Sequence, residues 1–295
     1  MKKEIFRGAG TALITPFCDG RIDYPTLKLL IERQIEAGVA ALIIGGTTGE
    51  AATLDDTERY ELYRFCKENI AGRCAVIFGT GTNDTKKAIQ HTGVAEKIGC
   101  DGVLVVTPYY NKGTKEGICR HYETIADSTD LPIILYNVPK RTGVLLDVPT
   151  VERLAERENI VAIKEADDSQ DKLPELAAQK GISLYAGNDS AAYSVLSLGG
   201  LGVISVVSNI LPKDVAELCR EYFAGNHTRA LEIQKKLLPI ISAMFLETNP
   251  APVKYAMSKM GLCREDMRLP MWLVTDATKK KIDTVLSVSD IDAQK

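Results

Sequence analysis

The chain has 295 residues, of which 45% are hydrophobic, and its formal net charge is −3 at pH 7. It has no basic tract, which argues against a nucleic-acid partner, and apolar runs such as residues 102–106 are far too short to span a bilayer. The first ten residues, MKKEIFRGAG, contain Glu4 and lack a long apolar core, so we expect no signal peptide.

Seven cysteines are scattered along the chain without a CxxC pair. An odd number at such spacing is typical of reduced thiols in a cytoplasmic protein. The three histidines, His91, His121 and His227, are far apart and have no metal-ligand spacing. We therefore expect no metal site.

Eight short apolar segments have the length and β-branched character of buried strands. They span residues 10–17, 41–47, 74–80, 102–108, 132–138, 160–166, 183–188 and 202–208. Amphipathic helical patterns lie between or after them, over residues 26–38, 57–69, 85–99, 189–200 and 211–225. Asp84 and Asp189 are predicted helix caps, and Gly38 is a predicted helix end.

Alternation of strands and helices at this spacing predicts parallel βαβ units. Eight such units close naturally into a (β/α)8 TIM barrel, although a doubly wound open sheet is the alternative. The glycine-rich turns at residues 45–50 and 79–84 lack the P-loop lysine and the third glycine of a dinucleotide fingerprint, respectively. These turns are therefore predicted to be active-site loops, and no cofactor is expected.

The last part of the chain is predicted to be helical without strands. Helical patterns cover residues 227–245, 250–261 and 278–287. We interpret residues 1–225 as the barrel and residues 226–295 as a C-terminal helical region packed on it. The last residues, 289–295, are predicted to fray.

In a barrel the reactive side chains lie at the carboxyl ends of the strands. The predicted strand ends carry one amine, several phenols, two hydroxyls and one guanidinium: Thr47, Thr48, Tyr109, Tyr110, Tyr136, Arg141 and Lys164. No metal-ligand cluster accompanies them. This set of groups favours amine catalysis on a carbonyl compound.

Lys164 is the most informative of these residues, because it interrupts a strand that is otherwise apolar. An amine attacks a ketone only without its proton, and a desolvated site favours that neutral form. Tyr136 could then transfer protons, a threonine hydroxyl could relay them, and Arg141 could hold a carboxylate with two hydrogen bonds.

Each of these residues also has a structural interpretation. Lys164 could form an ion pair or extend to solvent, although Glu165 beside it should point to the opposite face of the strand. Tyr136 could be a core residue with its hydroxyl bonded. The threonines could serve the turn alone, and Arg141 could form a surface ion pair. The position of all of them at one end of the barrel favours the catalytic hypothesis.

The sequence resembles the dihydrodipicolinate synthases, a family within the pyruvate-dependent class I aldolases and lyases. The resemblance rests on GGTTGEAATL, GTGTND, VTPYYNK, LYNVPKRTG, IKEA, GND and GGLGVISVVSN in this order, and on TNPAPVKYAMSKMG and MRLP near the end. It extends over essentially the whole chain. It implies a (β/α)8 barrel that condenses pyruvate with aspartate 4-semialdehyde, opening diaminopimelate and lysine biosynthesis.

The resemblance also implies a role for each site residue. Lys164 would form the Schiff base with pyruvate, and Tyr136 would transfer protons through Thr47 to Tyr110, which a neighbouring subunit would supply. Thr48 would bind the pyruvate carboxylate. Arg141 would position the carboxylate of the semialdehyde, and the backbone around Ile204 would line the pocket. A homo-oligomer, either a dimer or a dimer of dimers, is therefore expected.

The chain departs from the family at its lysine-effector pocket, where Tyr109 and Asn83 match the usual pattern. Ala51 stands at the usual serine position, Asp56 and Arg59 at the histidine positions, and Lys87 at the glutamate position. An ammonium in place of a carboxylate repels the ammonium of a lysine effector. We therefore expect weak or absent inhibition by lysine.

Two other functions remain open at this point. A sibling lyase, such as N-acetylneuraminate lyase or a keto-deoxy sugar acid aldolase, would share Lys164 and Tyr136. The threonine pair and Arg141 favour the synthase, because Arg141 suits a short second carboxylate. A non-catalytic keto-acid-binding regulator is disfavoured, because a binding protein has no need of a proton relay.

Overall fold

The computed structural model describes residues 2–288, and its centre is a closed barrel. The strands are β1 (Gly8–Ala12), β2 (Phe17–Cys18), β3 (Arg21–Ile22), β4 (Ala41–Ile44), β5 (Ala75–Gly79), β6 (Gly102–Val106), β7 (Ile133–Asn137), β8 (Ile160–Glu165), β9 (Ser183–Ala186) and β10 (Gly202–Ser205). The barrel order is β1-β10-β9-β8-β7-β6-β5-β4, and every pair is parallel. The predicted (β/α)8 TIM barrel is confirmed, and the open-sheet alternative is wrong.

Each predicted barrel strand is present, but the strands are shorter than predicted. The largest difference is at the first one, because residues 10–17 were predicted and β1 ends at Ala12. Leu13 and Ile14 continue the apolar run and are fully buried, yet they lie in the loop after the strand. Strands β2 and β3 then form a small antiparallel hairpin that the sequence patterns did not indicate.

Helices surround the barrel and fill the connections between its strands. They are α1 (Tyr24–Glu36), α2 (Asp56–Ile70), α3 (Thr85–Ile98), α4 (Lys115–Ala126), α5 (Pro139–Thr142), α6 (Val148–Leu154), α7 (Leu173–Ala177), α8 (Ala192–Ser197), α9 (Pro212–Phe223), α10 (His227–Met244), α11 (Ala251–Lys259) and α12 (Asp276–Val288). Asp84 caps α3 as predicted, since its carboxylate accepts a hydrogen bond from Lys86 N at 3.0 Å.

The prediction that Asp189 caps a helix is wrong. Its carboxylate instead accepts hydrogen bonds from the Ser205 hydroxyl and from Val206 N at 3.0 Å, at the end of β10. Asp189 thus ties two neighbouring strand ends together. Burial raises the pKa of its carboxyl group, while these hydrogen bonds and the charge of Lys164 oppose the rise.

The core has two layers, as the barrel architecture requires. The inner layer fills the barrel and includes Ile43, Ile77, Leu104, Tyr136 and Ile204. The outer layer packs the strands against the surrounding helices. The polar side chains that extend from the inner layer at its carboxyl end form the site described below.

Residues 227–288 contain the helices α10, α11 and α12 and no strand, as predicted, and α10 packs against α8 and α9 of the barrel. Met244 of α10 and Val253 of α11 belong to the same buried cluster as the outer barrel layer. The boundary between residues 225 and 226 stays a prediction, and the predicted fraying of residues 289–295 lies outside the described residues. Within residues 2–288, no helix is long and apolar enough to cross a membrane.

Candidate active site

Lys164 and Tyr136 lie side by side at the carboxyl end of the barrel. Strands β7 and β8 pair in a register that places the two residues directly opposite each other. Lys164 is only 5% exposed, and its Nζ atom is 4.3 Å from the centre of the Tyr136 ring. The amine is therefore held against a phenol within the polar end of the barrel.

Glu165 does not pair with Lys164, as the alternation of side chains along a strand predicts. Its carboxylate accepts hydrogen bonds from Asn137 Nδ2 at 3.0 and 3.1 Å and from Asp167 N at 2.8 Å, and it lies 3.8 Å from Lys172 Nζ. Among residues 2–288, Nζ of Lys164 has no hydrogen-bond acceptor and no ion-pair partner. The interpretation of Lys164 as an ion-paired residue is therefore not supported.

The two predicted threonines lie in a tight turn after β4. Gly45 begins the turn with φ of +64°, and a Cβ atom there would lie 2.8 Å from the Tyr63 hydroxyl oxygen. Only glycine adopts this backbone without strain in so narrow a space. The turn closes with a hydrogen bond from Glu50 N to Thr47 O at 3.1 Å, and Thr48 is buried.

A buried ion pair joins this turn to the C-terminal helical region. Glu50 accepts a hydrogen bond from Lys254 Nζ, and both side chains are almost fully excluded from solvent. Glu50 also accepts from Arg268 N at 3.0 Å, while Lys254 donates to Asp266 O at 2.9 Å. Burial lowers the pKa of Lys254, and the carboxylate of Glu50 opposes that shift. The turn is thus supported by residues more than 200 positions away in sequence.

Asn249 provides a second connection between the same regions. Its side-chain Nδ2 donates to Thr48 Oγ1 at 2.9 Å, and its backbone oxygen accepts from Arg141 Nη2 at 2.8 Å. Arg141 lies in α5 and is largely exposed. The predicted surface ion pair of Arg141 is replaced by this contact with the backbone.

A cavity of about 410 Å³ opens among these residues, which is large enough for a small organic substrate. Its lining includes the predicted site residues Thr47, Tyr136 and Arg141, together with Tyr109 and Asn249. A wider recess of about 1160 Å³ lies at the opposite, amino-terminal end of the barrel. Catalytic groups in barrels belong to the carboxyl end, so we assign the site to the smaller cavity.

Four of the predicted site residues stand apart from that lining. Lys164 is buried against the Tyr136 ring, Ile204 belongs to the same inner cluster as Tyr136, and Thr48 is buried within the turn after β4. Tyr110 is 88% exposed and has φ of +70°, so its side chain is not packed among the other predicted site residues of the same chain. The structure therefore brings together all the predicted residues except Tyr110.

Four of the six predicted effector positions line the same cavity as the site, and Asp56 and Asn83 lie outside its lining. Ala51, Arg59, Lys87 and Tyr109 line it, together with His91. Arg59 Nη2 donates to Ala51 O at 2.8 Å, so the guanidinium occupies the space beside the small alanine. Burial and the charge of Arg59 lower the pKa of His91. Arg59 and Lys87 bring positive charge to this part of the cavity, and Asp56 offsets part of it, since its Oδ1 lies 3.1 Å from His91 Nε2 and 3.9 Å from Lys87 Nζ.

Two residues of the site were missed by the sequence reasoning. Asn249 lies in TNPAP and Glu50 in GGTTGE, both within quoted motifs, but neither pattern indicates its partner. The structure shows the partners as Thr48 and Lys254. Across residues 2–288, no group of three histidine, cysteine or acidic side chains has the arrangement of a metal site.

Comparison with known proteins identifies relatives along nearly the entire chain. The Dihydrodipicolinate synthetase family model matches residues 5–289. A 4-hydroxy-tetrahydrodipicolinate synthase from Thermotoga neapolitana is 45% identical over 293 residues, covering 97% of this chain and 100% of that protein.

Solved structures agree with this family resemblance. The dihydrodipicolinate synthase of Thermotoga maritima superposes with a TM-score of 0.95 at 44% identity, covering 98% of this chain and 100% of that one. A protein described as a monomeric dihydrodipicolinate synthase variant gives the same TM-score of 0.95 and identity of 44%, covering 97% and 98% of the two chains.

Proposed function

Because this chain belongs to the dihydrodipicolinate synthetase family, we propose that it condenses pyruvate with L-aspartate 4-semialdehyde through a Schiff base on Lys164. The chain is a lyase with 4-hydroxy-tetrahydrodipicolinate synthase activity, which is the first committed step of lysine and diaminopimelate biosynthesis. The observation that carries the mechanism is the buried Lys164 amine, which has no ion-pair partner among residues 2–288 and lies 4.3 Å from the Tyr136 ring.

The reaction begins when Nζ of Lys164 attacks the ketone carbon of pyruvate, and loss of water gives an iminium. The iminium withdraws electrons, so a proton leaves the adjacent methyl group and an enamine forms. The enamine carbon then attacks the aldehyde of the second substrate, and the amino group of that substrate displaces Nζ of Lys164 from the former ketone carbon, which closes the ring and frees the enzyme. Tyr136 lies beside the amine and is our candidate for proton transfer, with the Thr47 hydroxyl as relay.

The remaining residues hold the substrates. Thr48 binds the pyruvate carboxylate, and its burial in the turn supports a fixed position for its hydroxyl. Arg141 lines the cavity and binds the carboxylate of the semialdehyde through its planar guanidinium. The backbone at Ile204 closes the pocket from the barrel interior. The reaction requires no cofactor in this proposal.

We also propose that the chain acts as a homo-oligomer, a dimer or a dimer of dimers, in the cytoplasm. Tyr110 is 88% exposed, which suits a phenol that completes the site of a neighbouring copy. All seven cysteines are free, which suits a reducing compartment. One related protein is described as a monomeric variant, and that description applies to that protein alone.

A direct comparison of substrates tests the reaction. We expect turnover with pyruvate and aspartate semialdehyde to exceed cleavage of N-acetylneuraminate and of keto-deoxy sugar acids by at least about a hundredfold in kcat/KM. The physical reason is that the Arg141 guanidinium suits a short carboxylate substrate. A coupled spectrophotometric assay measures each activity. Equal or higher kcat/KM for a sugar acid would contradict the proposal.

Lysine should inhibit this enzyme weakly or not at all. The ammonium of lysine would enter a region lined by Arg59 and Lys87, where like charges repel it. We expect saturating lysine to leave the initial rate within about a tenth of its value without lysine, at constant ionic strength. Strong inhibition under these conditions would show that the predicted loss of the effector site is wrong.

A further inference from the structure

We propose that Asn249 is a positioning residue that orients the Thr48 hydroxyl toward the carboxylate of pyruvate. This inference rests on the proposed function, because it assigns pyruvate to Thr48. Asn249 lies in the segment between α10 and α11, which crosses from the C-terminal helical region to the active-site cavity. Its side chain is 5% exposed, and Nδ2 donates to Thr48 Oγ1 at 2.9 Å across 201 residues of sequence.

The direction of this hydrogen bond determines what Thr48 can do. A hydroxyl has one proton to donate and two lone pairs that accept. Asn249 occupies one lone pair, so the hydroxyl proton of Thr48 stays available, and it meets no acceptor among residues 2–288. A hydroxyl held in this way is a preorganised donor for a carboxylate, and it loses little rotational freedom when pyruvate binds.

The other end of the Asn249 amide argues against a purely structural role. Its Oδ1 atom is shielded from solvent and accepts no hydrogen bond from any described residue. A buried acceptor without a donor destabilises a fold. Asparagine is therefore a poor choice for stability at this position, and the contact with Thr48 is the favourable feature that remains for its side chain.

The two contacts of Asn249 can be separated by mutation. The side chain contacts Thr48, whereas the backbone oxygen accepts the hydrogen bond from Arg141 at 2.8 Å. A substitution removes the amide and keeps the backbone oxygen. The hydrogen bond to Thr48, the residue assigned to pyruvate, is lost. The hydrogen bond from Arg141, the residue assigned to the semialdehyde, remains.

The experiment measures the two substrates separately in Asn249→Ala. We expect the KM for pyruvate to rise about tenfold, because the Thr48 hydroxyl is no longer held in the orientation that binds the carboxylate. The KM for the semialdehyde and kcat should stay within about twofold, and Tm should be equal or higher, because the unpartnered Oδ1 is removed. Borohydride trapping at increasing pyruvate concentration should show the same tenfold shift in half-saturation.

Two further variants sharpen the test. In Asn249→Asp the carboxylate accepts hydrogen bonds but cannot donate one, so it binds the Thr48 hydroxyl proton, and its charge repels pyruvate. We expect a larger rise in the KM for pyruvate than in Asn249→Ala. This rise should become smaller at lower pH, where the carboxylate gains a proton. Thr48→Val combined with Asn249→Ala should raise the KM for pyruvate no further than Thr48→Val alone. Asn226→Ala, an exposed asparagine that binds Glu221, is the matched control and should match wild type.

The outcomes distinguish this inference from the proposed function. An equal rise in both KM values, or a clear fall in Tm, would show a structural role and overturn the inference. An unchanged KM for pyruvate would also overturn it. Absence of condensation by the wild-type enzyme would overturn the proposed function itself, and the inference with it.

Discussion

Lys164→Ala is expected to lower kcat/KM by at least about a thousandfold, because removal of a covalent nucleophile removes the whole reaction path that depends on it. The fold should survive the change. Nζ of Lys164 makes no ion pair or hydrogen bond among residues 2–288, and the buried Asp189 carboxylate, which its charge influences, keeps its own hydrogen bonds from Ser205 and Val206. We expect Tm to stay at or above the wild-type value.

Mass spectrometry after borohydride reduction in the presence of pyruvate tests whether the covalent bond forms at Lys164. Wild type should gain the mass of pyruvic acid less one oxygen atom, and the labelled peptide should contain Lys164. Lys164→Arg retains a cation but offers no amine nucleophile, so it should remain unlabelled and inactive. Lys140→Ala, which removes an exposed lysine at the same end of the barrel, should be labelled normally. A label elsewhere would refute the mechanism.

Lys254→Met is expected to lower the free energy of unfolding by about 3–5 kcal/mol, because it leaves the Glu50 carboxylate buried without its counter-ion. Both side chains of this pair are almost completely excluded from solvent, so water cannot replace the lost partner. Activity should fall as well, since Glu50 belongs to the turn that carries Thr47 and Thr48.

Denaturant unfolding monitored by circular dichroism measures the loss. The double variant Lys254→Met with Glu50→Gln should recover most of it, because no uncompensated charge remains. Arg64→Met removes two exposed ion pairs, one with Glu61 and one with Glu68, and should leave the unfolding midpoint close to wild type. If Lys254→Met unfolds at the wild-type midpoint, the buried pair does not stabilise the fold.

The barrel could be predicted from the sequence because its signals are local. Each strand is a short apolar run followed by an amphipathic segment, and their order alone specifies parallel pairing. The strand ends were less certain, because burial and strand pairing are separate properties. Leu13 and Ile14 are as buried as strand residues but lie in a loop, so an apolar run extends beyond the hydrogen-bonded ladder.

The site could be predicted only in part, because local sequence patterns do not indicate contacts between distant segments. Tyr136 and Lys164 lie at the carboxyl ends of β7 and β8, and Arg141 follows β7, so the barrel rule places them at one end. Asn249 and Lys254 lie in the helical region, and no local pattern indicates that they reach Thr48 and Glu50 across more than 200 residues. Tertiary packing creates these contacts, and a single sequence carries no direct signal for them.

The Glu50–Lys254 pair also has a consequence for the timing of biosynthesis. Glu50 leaves the ribosome 204 residues before Lys254, an interval of roughly 10–40 s at ordinary rates of translation. During that interval the proposed nucleophile Lys164 is synthesised, while the turn that carries Thr47 and Thr48 still lacks its buried ion pair. An interrupted polypeptide would therefore contain the proposed nucleophile without a supported turn, and we expect activity only from chains synthesised nearly to their end.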